Sequence, residues 1–322
     1  MHSVRQFCDG KKMNFEKQIK AFQLKSSDFP RLTFNLCGLV TAVITVFFVG
    51  FIFYEAIPVF QSQGFVNFLT GTEWSYSKHV YGISVFIAAT LILTAVTLIL
   101  AVPISLFTAI FLAEFAPEKV SSAIRPLIEL LVGIPSVVYG IFGLFVLEDF
   151  FQYHVDPFFD TYLGFIPIFK DVTPSGGSGV LLASTVLAIM ILPTIISLSE
   201  DAIQAVPLEL HEASFGLGAT QWETIRNVVL PTASGGILSA IILGMMRAMG
   251  ETMAIVMLLG NTAYIPSSVL DTGYAMTSKI LNDIGYHVAI DEDRSALFGI
   301  AAVLFAIEIL FVWAARRIGR KQ

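Results

Sequence analysis

Charge is what this sequence has least of. Only 14% of its 322 residues are Asp, Glu, Lys or Arg, against 55% hydrophobic residues, and the mean hydropathy is +0.76. A soluble domain needs roughly 25% charged residues to cover its surface, so a large water-soluble core is excluded. Cysteine is scarce too. Cys8 lies in a basic tail and Cys37 inside an apolar run, which rules out a disulfide framework. The five histidines show no ligand spacing, and His211-Glu212 lacks the second histidine of a zinc protease motif, so no metal site is expected. No Gly-x-x-x-x-Gly-Lys-Ser/Thr loop occurs, and without that cradle any energy from ATP has to come through another chain. Fixed-period repeats and low-complexity stretches are absent, and no enzyme motif stands out.

What is present is apolar length. Predominantly apolar runs cover Thr33–Tyr54, Ile83–Ala113, Pro126–Leu147, Gly179–Leu198, Ser234–Leu259 and Ala296–Ala315. About 18 such residues match the hydrocarbon core of a bilayer, where a helix is the only open-chain way to satisfy every backbone group. The expectation is an all-α, polytopic bundle of six spans. Ile83–Ala113, at 31 residues, is too long for a straight crossing. It reads as one helix that tilts or kinks at Pro103, with a re-entrant piece as the alternative.

The few charges are placed unevenly. Seven basic residues precede Thr33 (Arg5, Lys11, Lys12, Lys17, Lys20, Lys25, Arg31), and Arg316, Arg317, Arg320 and Lys321 close the chain. Positively charged loops stay cytoplasmic, so both termini are expected inside and the number of spans is even. Six spans then put Glu114–Arg125 and Asp201–Pro231 inside with Lys119, Arg125 and Arg226, and leave only Lys78, Lys170, Lys279 and Arg294 outside. With no short apolar region and cleavage site in the basic tail, the first span reads as a retained anchor. The expected organisation is a basic tail over 1–32, a six-span membrane domain over 33–315 and a second basic tail over 316–322. The outer segments Glu55–Gly82, Glu148–Ser178 (aromatic and acidic, ending in Pro174-Ser175-Gly176-Gly177) and Asn261–Arg294 read equally as surface filler or as a docking surface for an external partner.

The segment at about 204–231, between the fourth and fifth runs, has the most specific pattern. Pro207 suits a first helical turn. Leu208 with Phe215, and Leu210 with Leu217, recur seven apart on one face. Gly218 is a natural stop, because a helix commonly ends in a left-handed residue. Thr220-x-x-Glu223 is a capping box that starts a second helix before Pro231. Glu212-Ala213-Ser214, then Gly218, then Val228-x-Leu230-Pro231, resembles the EAA loop of ABC-importer permeases, departing from it mildly at Ser214 and Val228. The resemblance implies that Glu212, Ala213 and Gly218 belong to a coupling helix seated on an ATPase subunit. Read by itself, the segment is a helical hairpin at a membrane surface.

The fifth run contains Gly244-Met-Met-Arg247-Ala-Met-Gly250-Glu251-Thr252-Met-Ala254. Arg247 and Glu251, four apart, share a helical face and can pair across one turn. An ionisable residue inside a span marks a functional site by default. The bland reading is a structural ion pair. The sharper one is an anion site, since guanidinium presents a planar fork of donors to phosphate oxygens and Gly250 allows close approach. Ser136, Tyr139 and Glu308 read as path or packing residues. Glu129 reads as structural, near a helix N-terminus.

This run resembles the phosphate-specific (Pst) permeases, as do Leu131-Val-Gly-Ile-Pro-Ser136-Val-Val-Tyr139-Gly140 and Phe68-Leu-Thr-Gly-Thr-Glu73-Trp74. The outer-loop pattern is more like the C-type subunit. The likeness runs from about Arg31 to the C-terminus. It implies a type I ABC-importer permease fold and a non-enzymatic role as half of a phosphate path in a bacterial inner membrane. Arg247, Gly250, Glu251 and Thr252 would lie on that path. The implied partners are a second, A-type permease, a cytoplasmic ATPase dimer that holds the ATP and Mg, and an extracytoplasmic phosphate-binding protein. The alternatives are an ABC permease for another oxyanion such as molybdate or sulfate, or an ion-coupled secondary transporter. The last needs repeats and coupling carboxylates that the sequence does not show clearly.

Overall fold

A computed structural model describes residues 2–170 and 176–319, with side chains from residue 31 and as far as residue 317. The side chains of the basic N-terminal tail, with Cys8, lie outside the described residues, as do Pro174, Ser175, Arg320 and Lys321.

The chain divides into two units, Met1–Tyr54 and Glu55–Gln322. The first is part of one long helix, α1 (His2–Gln63). Leu39, Val43 and Phe47 on it are all exposed, while Thr41 and Thr45 turn their hydroxyls back onto carbonyls four residues earlier, each at 2.9 Å. A helix apolar all round with its polar groups internally satisfied is suited to lipid.

In the second unit, Gly64 turns the chain with φ 78° into α2 (Phe65–Thr70). A short antiparallel hairpin follows, β1 (Trp74–Ser75) and β2 (Val80–Tyr81), with Trp74 opposite Tyr81. Next, α3 (Ser84–Ile110) continues through one π-helical turn to Phe115. The long apolar run is therefore a single helix with Pro103 inside it, and no re-entrant piece forms there. Thr90, Thr94 and Thr97 each donate to the carbonyl four residues back at 2.8 Å, so these three hydroxyls of α3 are buried with their hydrogen bonds made. Its main neighbour is α8 (Val180–Gln204); Leu93 of α3 joins Val186, Leu187 and Met190 of α8 in the principal core.

The third run corrects the straight span expected over Pro126–Leu147. Here α4 (Glu118–Val132) ends, and the chain turns by 90° before the helical stretch Ser136–Leu163. The cause is local: Pro135 donates no amide hydrogen and disfavours helical backbone at Ile134. The stretch comprises α5 (Ser136–Phe142), α6 (Glu148–Phe150) and α7 (Asp156–Leu163), linked by π-helical turns. The segment expected as a loop from Glu148 is thus largely helical. Glu129 lies in the last turns of α4 and is exposed, so the helix-N-terminus reading of it fails.

The remaining helices are α9 (Leu208–Gly216), α10 (Gln221–Thr224), α11 (Leu230–Gly250), α12 (Met253–Leu258), α13 (Met276–His287) and α14 (Asp291–Gly319). Five helices are long and apolar enough to cross a membrane among the described residues, or six if the bent pair is counted as one crossing. The expected segment Asn261–Arg294 is not a simple loop either, since it contains α13 and the start of α14.

One ion pair, between a half-exposed arginine and a buried carboxylate, joins α4 to α8. Arg125 Nη2 and Nε lie 2.5 and 2.8 Å from Glu200 Oε1, which also accepts from Gln204 Nε2 at 3.1 Å, and Glu200 is 4% exposed. Arg125→Ala leaves that carboxylate short of donors, at a cost of about 1–3 kcal/mol. The expected result is a lower unfolding midpoint in detergent, largely recovered when Glu200→Gln is added; an unchanged midpoint in the single variant would refute it.

Candidate functional site

Two places concentrate the chemistry: a break in the fifth span, and the hairpin between the fourth and fifth spans.

The fifth span was expected to run unbroken over Ser234–Leu259. Instead α11 stops at Gly250, Glu251 takes an extended backbone (φ −66°, ψ 135°), and α12 begins at Met253. This ends the shared helical face on which Arg247 and Glu251 were expected to pair, and no ion pair joins them among the described residues. The carboxylate of Glu251 turns forward. Its Oε1 accepts the amide hydrogens of Thr252 at 3.2 Å and Ala254 at 3.4 Å, capping α12. Thr252 Oγ1 donates back to the Gly250 carbonyl at 3.2 Å. Arg247 meanwhile donates from Nη1 to Thr194 Oγ1 on α8 at 3.0 Å. It sits in the last turn of α11, where the helix dipole favours a cation. A side chain built on Gly250 would meet nothing within 4 Å, so the flank of the break is open.

The two interrupted spans meet. On α5, a Cβ at Gly140 would lie 2.8 Å from Met257 Sδ and 3.2 Å from Ala254 Cα, which brings α5 and α12 into backbone-level contact. Tyr139, one residue earlier, donates to the Leu131 carbonyl at 3.0 Å and so ties α5 across its own break. Ser136 opens α5. Glu308 lies elsewhere, partly buried on α14, with no hydrogen-bond or ion-pair partner among the described residues.

The hairpin follows its sequence pattern closely. Pro207 is the N-cap of α9, one position before the first turn. Gly218 adopts φ +87°, the left-handed stop its position required. Thr220 and Glu223 form the full capping box, and the Thr220 amide holds the Glu223 carboxylate below its ordinary range. Residues the sequence did not single out dock α9: His211 Nε2 lies 3.3 Å from Glu114 Oε1 at the end of α3, and Gln221 Nε2 donates to the Glu114 carbonyl at 3.1 Å. Ser214, the departure from Ala in the loop pattern, shares a 2.8 Å hydrogen bond with Thr224 of α10. With His211 and Ser214 turned inward, Glu212, Ala213, Leu208, Phe215 and Leu217 are left exposed, Leu217 at 90%. Nothing in the sequence could have paired Glu114 with His211, since 97 residues separate them.

At the opposite end of α3, Lys279 is buried in a box of rings. Its Nζ lies 5.0–5.5 Å from the centroids of Trp74, Tyr76, Phe86 and Tyr274, and 2.5 Å from Asp283. Burial pushes the ammonium below its usual range, and Asp283 opposes that shift. Among the described residues no cluster of three metal-ligating side chains occurs.

Comparison with known proteins gives a consistent picture. The family model described as "binding-protein-dependent transport system inner membrane component" matches residues 101–322. The phosphate transport system permease protein PstC of Xylella fastidiosa is 35% identical over 297 residues, covering 90% of this chain and 89% of that protein. Its counterpart from Pasteurella multocida is 35% identical over 309 residues, covering 91% and 96%. The probable ABC transporter permease protein YqgH of Bacillus subtilis is likewise 35% identical, over 297 residues. Among solved structures, a bacterial alginate ABC transporter with its alginate-bound periplasmic protein aligns with a TM-score of 0.59 at 19% identity, covering 92% of this chain and 96% of that one. The inward-facing MetNI methionine ABC transporter aligns with a TM-score of 0.52 at 19% identity, covering 77% and 99%. At those identities the structural likeness concerns the fold.

Proposed function

Because the chain belongs to the family of binding-protein-dependent transport system inner membrane components, multi-pass permeases of the inner membrane, we propose that it carries inorganic phosphate past Arg247, as the C-type permease of an ATP-driven importer. One observation carries the reading. An arginine sits at a break in a membrane helix with no carboxylate paired to it among the described residues. Irregular backbone at membrane depth is tolerated where it is buried in protein or lines a cavity. A cation held there by a single neutral partner, Thr194, keeps most of its five N–H donors for an anion. That no ion pair joins Arg247 to Glu251 among the described residues supports this reading over a structural pair. Gly250 leaves the flank of the break open, and Thr252 and Glu251 shape its backbone.

Energy enters at the other site. Glu212, Ala213 and Gly218 present the exposed face of α9, which we read as the seat of a cytoplasmic ATPase dimer that holds ATP and Mg. An A-type permease would supply the other half of the path, and an extracytoplasmic phosphate-binding protein would deliver the substrate. Both termini would be cytoplasmic.

Substrate and orientation are each testable. In liposomes holding the full transporter, excess molybdate or sulfate should leave phosphate uptake unchanged; strong competition by either would move the assignment to that oxyanion. Single cysteines at Ser122 and Tyr162, both on exposed positions, in a chain with Cys8 and Cys37 replaced, should react with an impermeant thiol reagent from opposite sides of the membrane. Equal labelling of both on intact cells would break the topology.

A further inference from the structure

The start of α13 lies beside the break in α11, and its first turn is buried: Met276 and Ser278 are 0% exposed and Thr277 is 9% exposed. The first amides of a helix have no partner within the helix. Here the Met276 N–H goes to Thr90 Oγ1 at 3.0 Å, and Thr90 in turn donates to the Phe86 carbonyl. Thr277 faces the other way. Its Oγ1 donates to the backbone carbonyl of Glu251 at 2.8 Å, across 26 residues of sequence. That carbonyl closes α11, where no further intrahelical donor follows it.

Glu251 is therefore held twice. Thr277 fixes its backbone, and the N-terminus of α12 fixes its carboxylate. The helix that supplies Thr277 is itself locked two residues later, where Lys279 enters the aromatic box and pairs with Asp283. Farther along, His287 stacks on Tyr76 with ring centroids 3.6 Å apart and pairs with buried Asp293 at 2.9 Å. So α13 runs from the break to the β-hairpin with firm contacts at both ends.

We infer that Thr277 is a positioning residue for transport: its hydroxyl sets the backbone of the break at Glu251, and with it the aim of the Arg247 guanidinium one turn earlier. The inference rests on the reading of Arg247 as the anion station. Valine keeps the shape of threonine and drops the hydroxyl, so it separates hydrogen bonding from packing.

The experiment uses the complete transporter in liposomes, with its binding protein, and measures phosphate uptake and ATP hydrolysis side by side. Losing one buried hydrogen bond at the station should cut uptake by about five- to tenfold in Thr277→Val, while binding-protein-stimulated hydrolysis stays within about twofold. Thr277→Ser, which retains the hydroxyl, should restore uptake. Wild-type uptake by Thr277→Val would overturn the inference. So would a parallel loss of uptake and hydrolysis in both variants, the signature of a packing role. Arg247→Lys in the same assay keeps the two readings apart. Normal uptake by that variant removes the station itself, whereas impaired Arg247→Lys beside normal Thr277→Val removes only the role of Thr277.

Discussion

Gly218→Val should assemble into the transporter at near-normal levels and fail to move phosphate. The strain is in the backbone alone. Gly218 has φ +87°, and a Cβ built there meets nothing within 4 Å, so no packing is disturbed. A β-branched residue forced into that region costs on the order of 1–3 kcal/mol. The turn can relieve the strain only by moving α9 relative to α10, which are joined by the Ser214–Thr224 hydrogen bond. Moving α9 displaces Glu212, Ala213 and the exposed apolar face from where an ATPase would engage them. Gly218→Asn is the matched control, since asparagine enters the left-handed region more easily. The expected order of uptake is wild type, then Asn, then Val, with Val near zero and ATP hydrolysis uncoupled or suppressed. Full uptake by the Val variant would show that this hairpin is not the coupling element.

That hairpin was legible because its signals are local. A proline, a glycine and a Thr-x-x-Glu box act within a few residues, and each took the conformation its chemistry dictates. The long helix Ser84–Phe115 was legible for a similar reason, because hydropathy alone decides whether a segment can sit in lipid. The breaks were not. Apolar runs continue straight through Gly133-Ile134-Pro135 and through Glu251-Thr252, and hydropathy is blind to direction. Pro135 did carry a signal for the first break. The second has no proline at all. There the chain departs from the helix where Glu251 finds better partners in the amides of Thr252 and Ala254 and in the hydroxyl of Thr277, and the last of these is a tertiary contact. The four-residue spacing of Arg247 and Glu251 misled for the same reason, since it assumes a helix that has already ended.

The unpaired state of Arg247 sharpens the test of the site. Arg247→Lys keeps a positive charge but replaces a planar five-donor fork with a point charge, so oxyanion contact is lost while assembly survives. Uptake should fall by at least about tenfold, the scale of one charge-assisted hydrogen bond, and Arg247→Ala should abolish it. Glu251→Gln should be far milder than a salt-bridge partner would be, because the amide oxygen still accepts from Thr252 and Ala254. Exchanging the residues (Arg247→Glu with Glu251→Arg) is decisive. A structural ion pair would survive the exchange and transport would persist. With no pair to preserve, the exchange sets a carboxylate where the anion must pass and a guanidinium against the amide hydrogens that open α12. Uptake should vanish in that variant with expression verified in membranes, and wild-type uptake by it would sink the assignment of Arg247 to the phosphate path.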